Sequence, residues 1–151
     1  MRYLSQVRSA GAPDIEQLTE RFHAMLEECG LLGSGLVADW RERLARHYAE
    51  SMAAGSMMWS VIDDGGEIVA TACATLNGGP SIYKEPSATI SGVYVLPSRR
   101  GRGYARAVTE SVLAWCREKG CASVRLIASP MGRPLYESLG FTDAAEMRLK
   151  L

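Results

Sequence analysis

Residues 99 to 103 read Arg-Arg-Gly-Arg-Gly, set between a run of β-formers that Pro97 stops and an amphipathic pattern that begins at about Tyr104. Glycines at 101 and 103 leave backbone N–H groups uncovered, and a helix starting at Tyr104 points its positive end at the same turn. Arg99, Arg100 and Arg102 add charge. A turn of this composition is suited to holding phosphate. Two common phosphate signatures do not fit it. No Lys-Ser/Thr follows Gly103, as a Walker loop requires, and Arg106 stands where a dinucleotide fingerprint needs its third glycine.

What does match is Arg-x-x-Gly-x-Ala at Arg100, Gly103 and Ala105, preceded by Val93-Tyr-Val-Leu-Pro97. A second motif lies further on, Leu135-Tyr136-Glu137-Ser138-Leu139-Gly140-Phe141. Together, in this order and spacing, they resemble the acetyl-CoA-binding loop and the closing segment of the GNAT superfamily of N-acetyltransferases. The resemblance covers residues 57 to 151 well and residues 1 to 56 only in general layout. It implies acetyl-CoA as co-substrate and no metal. It also implies cofactor contacts from Val93, Tyr94, Val95, Arg100, Gly101, Arg102, Gly103, Tyr104, Ala105 and Ser129. One departure is visible: the family often places Asn, a contact to the pantetheine arm, where this chain has Ser129 followed by Pro130.

Acetyl transfer from a thioester to an amine needs an uncharged amine, a place for oxyanion charge and a proton for the departing thiolate. The resemblance gives the proton to Tyr136, and it gives the positioning of the pantetheine and the acetyl carbonyl to backbone N–H groups near Val93 and Val95. A phenol with an ordinary pKa of ~10 is protonated at neutral pH and can donate. The plainer alternative is that Tyr136 packs at the end of a short helix. No general base stands out among Glu85, Glu67, Asp39, His47 and Tyr94; His47 reads first as a solvated surface residue, and a water relay would leave no side-chain signature.

The elements that must position these groups follow from pattern. Residues 2–8 suit a first strand. Pro13 opens a helix with Asp14 and Glu16 near its N-terminus, and Ile15, Leu18, Phe22 and Met25 mark its buried face. Glycines between 30 and 35 break it, and a second helix carries Val37, Trp40, Leu44, Tyr48 and Met52 up to Gly55. The period then changes to two. Strands are expected at 58–62 and 67–76, joined by Asp63-Asp64-Gly65-Gly66, and Met57 and Met58 read first as core, with the lining of an acceptor pocket as the alternative. Trp59 could face an acceptor.

After a polar loop at 77–86 comes a strand at 88–96 whose apolar residues switch from even (Ala88, Ile90) to odd numbers (Val93, Val95) at Ser91-Gly92. Such a slip with glycine at the break predicts a β-bulge, whose freed backbone groups can bond a ligand. A helix at 104–119, a parallel strand at 122–128, a short helix at about 132–139 and a last strand at 146–151 complete the chain. The fold class is α/β. A single domain over 1–151 is expected, and the resemblance adds a GNAT-like mixed, twisted sheet with splayed central parallel strands flanked by helices.

Seventeen basic residues balance seventeen acidic ones, so no overall field favours nucleic acid or a membrane surface. The basic run at 99–106 is too compact, and too poor in interleaved aromatics, for a nucleic-acid site. No apolar run approaches the ~20 residues of a membrane span, and Met1-Arg2-Tyr3 does not begin a secretory signal. Cys29, Cys73, Cys116 and Cys121 form no Cys-x-x-Cys pair, so reduced thiols in a cytoplasmic protein are expected. These features, with the resemblance, predict an N-acetyltransferase acting on a primary amine of a small molecule. Acetylation of a protein N-terminus or lysine is the alternative within the enzymes, and a non-catalytic acetyl-CoA sensor the alternative from another class. A homodimer is left open.

Overall fold

The computed structural model describes residues 6–78 and 82–151. Most of the strand expected at 2–8 lies outside the described residues; the first strand seen is β1, Val7–Ser9. Pro13 sits in a 3₁₀ turn, Ala12–Asp14, that leads into α1, Ile15–Glu28. The Asp14 carboxylate accepts the Gly11 N–H at 2.8 Å and pairs with Arg8, whose other nitrogen reaches Asp63, so the start of α1 is pinned to the β hairpin. Helix α2, Trp40–Ala53, begins later than its apolar stripe suggested: Gly33 and Gly35 take positive φ, and Val37 is left exposed in the connecting loop.

Strands β2 (Met57–Asp64) and β3 (Glu67–Leu76) form the expected hairpin, with Asp63 accepting the Gly66 N–H at 2.6 Å in the turn. Strand β4, Ser87–Val95, follows, then α3, Tyr104–Glu118, the short β5, Ser123–Arg125, and α4, Arg133–Ser138. The sheet order is β1-β2-β3-β4-β5, antiparallel throughout except for the parallel β4–β5 pair. Strand-residue alternation builds two cores. Met57, Trp59 and Val61 join Leu18 and Tyr48 on the α1/α2 side, while Ile62 joins Val108, Val112 and Cys116 on the α3 side. Ala70, Ala72 and Ala74 line the latter face, and side chains this small let α3 sit close to the sheet. Met57 is buried, and Met58 packs against the α3-side core.

The phase slip in β4 is a bulge. Thr71 pairs with Tyr94 and Cys73 with Ser91, so Gly92 and Val93 together oppose Ala72. Gly92 has φ +62°, and its carbonyl accepts the Thr71 hydroxyl at 2.8 Å. A Cβ there would lie 2.6 Å from Cη2 of Trp59. Trp59 therefore does not face an acceptor: it is buried beneath the bulge, edge-on to Tyr48 at 5.1 Å.

Two expectations at the far end fail. Strand β5 covers Ser123–Arg125 rather than 122–128, because its ladder with β4 stops at the Thr89–Arg125 pair. Residues 146–151 form no strand; they alternate apolar and charged as a strand would, but no backbone among the described residues pairs with them. No described helix is long and apolar enough to cross a membrane.

Candidate active site

The early end of the β4–β5 ladder is the structural origin of the site. Among the described residues, β4 from Ile90 onward is flanked by β3 on one edge only. Leu96 donates its N–H to the Val69 carbonyl at 2.9 Å, so alternation turns the N–H and C=O of Val95 towards the open edge, with those of Val93 two residues back. The Val95 carbonyl there accepts Nε of Arg100 at 3.0 Å. The opening is one cavity of about 590 Å³, walled by β4, the 99–106 turn, α4 and the end of α1.

The turn contributes backbone. Gly101 and Gly103 have φ +79° and +81°, a left-handed conformation that favours glycine. Within α3 the Ala107 N–H bonds to the Gly103 carbonyl at 3.1 Å, and the first-turn N–H groups before it point towards the turn. Gly101, Gly103, Tyr104, Ala105 and Arg106 all line the cavity.

The arginines divide their work. Arg99 pairs with Asp64 at 2.7 Å. Arg100 grips Glu28 with both terminal nitrogens, at 2.6 and 2.7 Å, and lies 5.6 Å over the Tyr94 ring. Its guanidinium is thus committed to holding the end of α1 against β4, and what it offers an anion is reduced accordingly. Arg102 is exposed and does not line the cavity. Arg106, expected only as the residue that spoils a dinucleotide motif, reaches Ser138 at 2.5 Å and ties α3 to α4.

Tyr136 lies across the opening from β4. Its ring is 8% exposed and packs edge-on to Phe141 at 5.9 Å. Gly132 makes room for it, since a Cβ there would come within 2.9 Å of the ring. No described residue hydrogen-bonds its hydroxyl, which is also not sealed away in the core. Burial pushes the phenol pKa above its ordinary value, which keeps it protonated. Ser129 lines the same cavity and works locally: its hydroxyl and carbonyl both accept the Gly132 N–H, at 3.1 Å each, shaping the entry into α4.

Among the suggested bases only Tyr94 lines the cavity, and burial, then the Glu28 carboxylate, push its phenol pKa up. Asp39 is paired with Arg43 at 2.9 Å, Glu67 and Glu85 are exposed elsewhere, and His47 borders a separate apolar cleft of about 280 Å³ between α1 and α2. Sequence reasoning missed Met25, Glu28 and Cys29, which supply the α1 wall. No local motif marks them; only the packing of α1 across β4 brings them there. Among the described residues no cluster of His, Cys, Asp and Glu could hold a metal ion.

Comparison with known proteins shows the family and the fold. The model of the acetyltransferase (GNAT) family matches residues 18–141. Mycothiol acetyltransferase of Beutenbergia cavernae is 35% identical over 97 residues, 60% of this chain and 30% of that protein. Glucosamine 6-phosphate N-acetyltransferase of Trypanosoma brucei brucei is 36% identical over 83 residues, 49% of this chain and 56% of that protein. The chain thus spans less than two thirds of the length of these curated relatives. A crystal structure described as a "predicted acetyltransferase with acetyl-CoA" from Clostridium acetobutylicum superposes with a TM-score of 0.81 at 26% identity, covering 96% of this chain and 94% of that one.

Proposed function

The chain belongs to the GNAT family of acetyltransferases, and on that premise we propose that it transfers the acetyl group of acetyl-CoA to the primary amine of a small molecule. One juxtaposition carries this reading: unpaired β4 backbone, the glycine turn at the head of α3 and the free Tyr136 hydroxyl all border a single cavity. The relatives named for mycothiol and glucosamine 6-phosphate support a small acceptor.

Acetyl-CoA supplies a thioester already activated for attack. The residues divide the remaining work. Amides of Gly101, Gly103 and the first turn of α3 hold the pyrophosphate, with the helix dipole behind them. The N–H groups of Val93 and Val95 hold the pantetheine arm in the β4–β5 gap and polarise the acetyl carbonyl. The amine nitrogen bonds to the carbonyl carbon, the carbon–sulfur bond breaks, and Tyr136 gives its proton to the sulfur. The nitrogen's surplus proton leaves through water, because Glu28, the carboxylate at the cavity, is held below the usual carboxylate range by Arg100 and is a weak base. The four free thiols fit a reducing compartment, and we place the protein in the cytoplasm.

Incubation with acetyl-CoA and a panel of amines, followed by assay of free thiol, tests the proposal. Release that depends on at least one small amine is expected. Tight binding of acetyl-CoA with no thiol release for any amine would instead mark a sensor, and release only with peptide acceptors would move the acceptor class to proteins.

A further inference from the structure

Helix α3 ends in a turn whose two anchor positions are both cysteine. Gly120, at φ +76°, reverses the chain there. Its N–H donates to the Arg117 carbonyl at 2.9 Å, and the Cys121 N–H donates to the Cys116 carbonyl at 3.0 Å. This pair of bonds is the Schellman arrangement, in which the side chains at the two ends of the longer bond meet. Small apolar residues would serve at both ends. This chain places two free thiols there, in hydrogen-bond contact with each other. Cys116 is 1% exposed within the α3-side core, whereas Cys121 packs against that core and is only half-buried. Cys73 is buried on the α1/α2 side and Cys29 lines the cavity, so neither shares the turn. The turn leads straight into β5: the Ala122 N–H donates to the Pro86 carbonyl at 3.0 Å, and Ser123 pairs with Ser87 at the start of β4.

We propose that Cys116 and Cys121 are a redox pair, which a peroxide oxidises to a disulfide closing the turn between α3 and β5 and which a dithiol reductant reopens. The half-buried Cys121 meets the peroxide first. Its thiolate sulfur attacks one peroxide oxygen, the sulfur–oxygen bond forms, the oxygen–oxygen bond breaks, and water is released. The Cys116 sulfur then attacks the sulfenic sulfur of Cys121; the sulfur–sulfur bond forms and the hydroxyl leaves as a second water, carrying the Cys116 proton. Two thiols are oxidised and one peroxide is reduced. The order follows from burial, which is the chief cause that pushes the Cys116 thiol up to about 11 and makes it a poor first nucleophile. Once formed, the bond ties the end of α3 to the start of the β4–β5 ladder and constrains the unfolded chain. Neither thiol borders the cavity, so this chemistry stands apart from acetyl transfer.

Peptide mapping of the full chain after treatment with hydrogen peroxide tests the proposal, with Cys29→Ser as the starting protein so that the exposed thiol takes no part. The oxidised protein should be lighter by about 2 Da, the mass of the two hydrogens lost. Trypsin cuts after Arg117 and Lys119, between the two cysteines, so the disulfide should hold two peptides together until dithiothreitol separates them. The oxidised form should also have the higher Tm, and dithiothreitol should return it to the starting value. Adding Cys116→Ala should stop the reaction at a sulfenic acid on Cys121, which dimedone traps. If that variant does not fold, the map of the Cys29→Ser protein decides alone. Cys121 carried on to sulfinic acid while Cys116 is still a thiol, disulfides formed only between chains, or both thiols unchanged by peroxide would each overturn the pair.

Discussion

The two edges of β4 differ in how their backbone is satisfied. Along β3 the ladder runs nearly the whole strand, and its one defect, the bulge at Gly92-Val93, is filled from below by Trp59. Along β5 the ladder ends after Thr89, and the edge beyond it opens on a cavity. One strand thus has a closed side set by packing and an open side that lines a cavity. The bulge links them. An extra residue bends and twists the strand, and the splay from β5 begins at the residues leading into it.

The sharpest way to break this comparison is Gly92→Ala. The new methyl would meet the Trp59 ring at a position where φ is +62°, combining overpacking with left-handed strain. A loss of roughly 2–4 kcal/mol in denaturant unfolding is expected. Trp59→Leu removes a buried ring and costs stability on its own, so the double variant should lose less than the sum of the two single losses, since the changes share one contact. Full additivity would show that the ring does not support the bulge.

On the open side, Gly103→Asp should leave a folded protein that acetyl-CoA no longer stabilises. A ligand at a hundredfold excess over its Kd raises native-state stability by about 2.7 kcal/mol. A carboxylate placed where the pyrophosphate must approach should erase the corresponding rise in Tm. A full thermal shift in this variant would move the anion site elsewhere.

The smallest effect belongs to Glu28, which joins α1 to the open side. Its carboxyl has a folded pKa below the ordinary value of 4.5, chiefly through its hydrogen bonds to Arg100. The pair therefore stabilises the protein fully above about pH 4.5, and that contribution fades as pH falls through the lower folded value. Both side chains are about a third exposed, so screening keeps the amount below about 1 kcal/mol. Glu28→Gln should flatten the acid side of the Tm-versus-pH curve slightly, and high salt should reproduce that change in the unaltered protein.

Legibility in the sequence followed the same division. The glycine turn, the bulge and the Tyr136 helix were readable because each rests on local chemistry: a left-handed glycine, a phase slip, a proline in a first turn. The α1 wall was not, because Met25, Glu28 and Cys29 meet β4 only after the helix packs. Arg100 was readable as a cation, but not as one engaged by a carboxylate far away in sequence. The alternation in 146–151 predicts a strand where none forms, because a period of two cannot supply the neighbouring edge that a strand needs. Trp59 was misjudged for a similar reason, since the bulge that needs a ring beneath it lies on another strand.

The central claim is that the Tyr136 hydroxyl performs chemistry while its ring performs packing. Tyr136→Phe keeps the ring and removes only the hydroxyl. Rapid-quench single-turnover measurement with saturating acetyl-CoA and an active amine excludes product release from the comparison. The predicted result is a rate lower by ~10- to 10³-fold, the range for a positioned proton donor, with acetyl-CoA affinity nearly unchanged. A single-turnover rate equal to that of the unaltered protein would contradict the assignment and leave Tyr136 as packing alone.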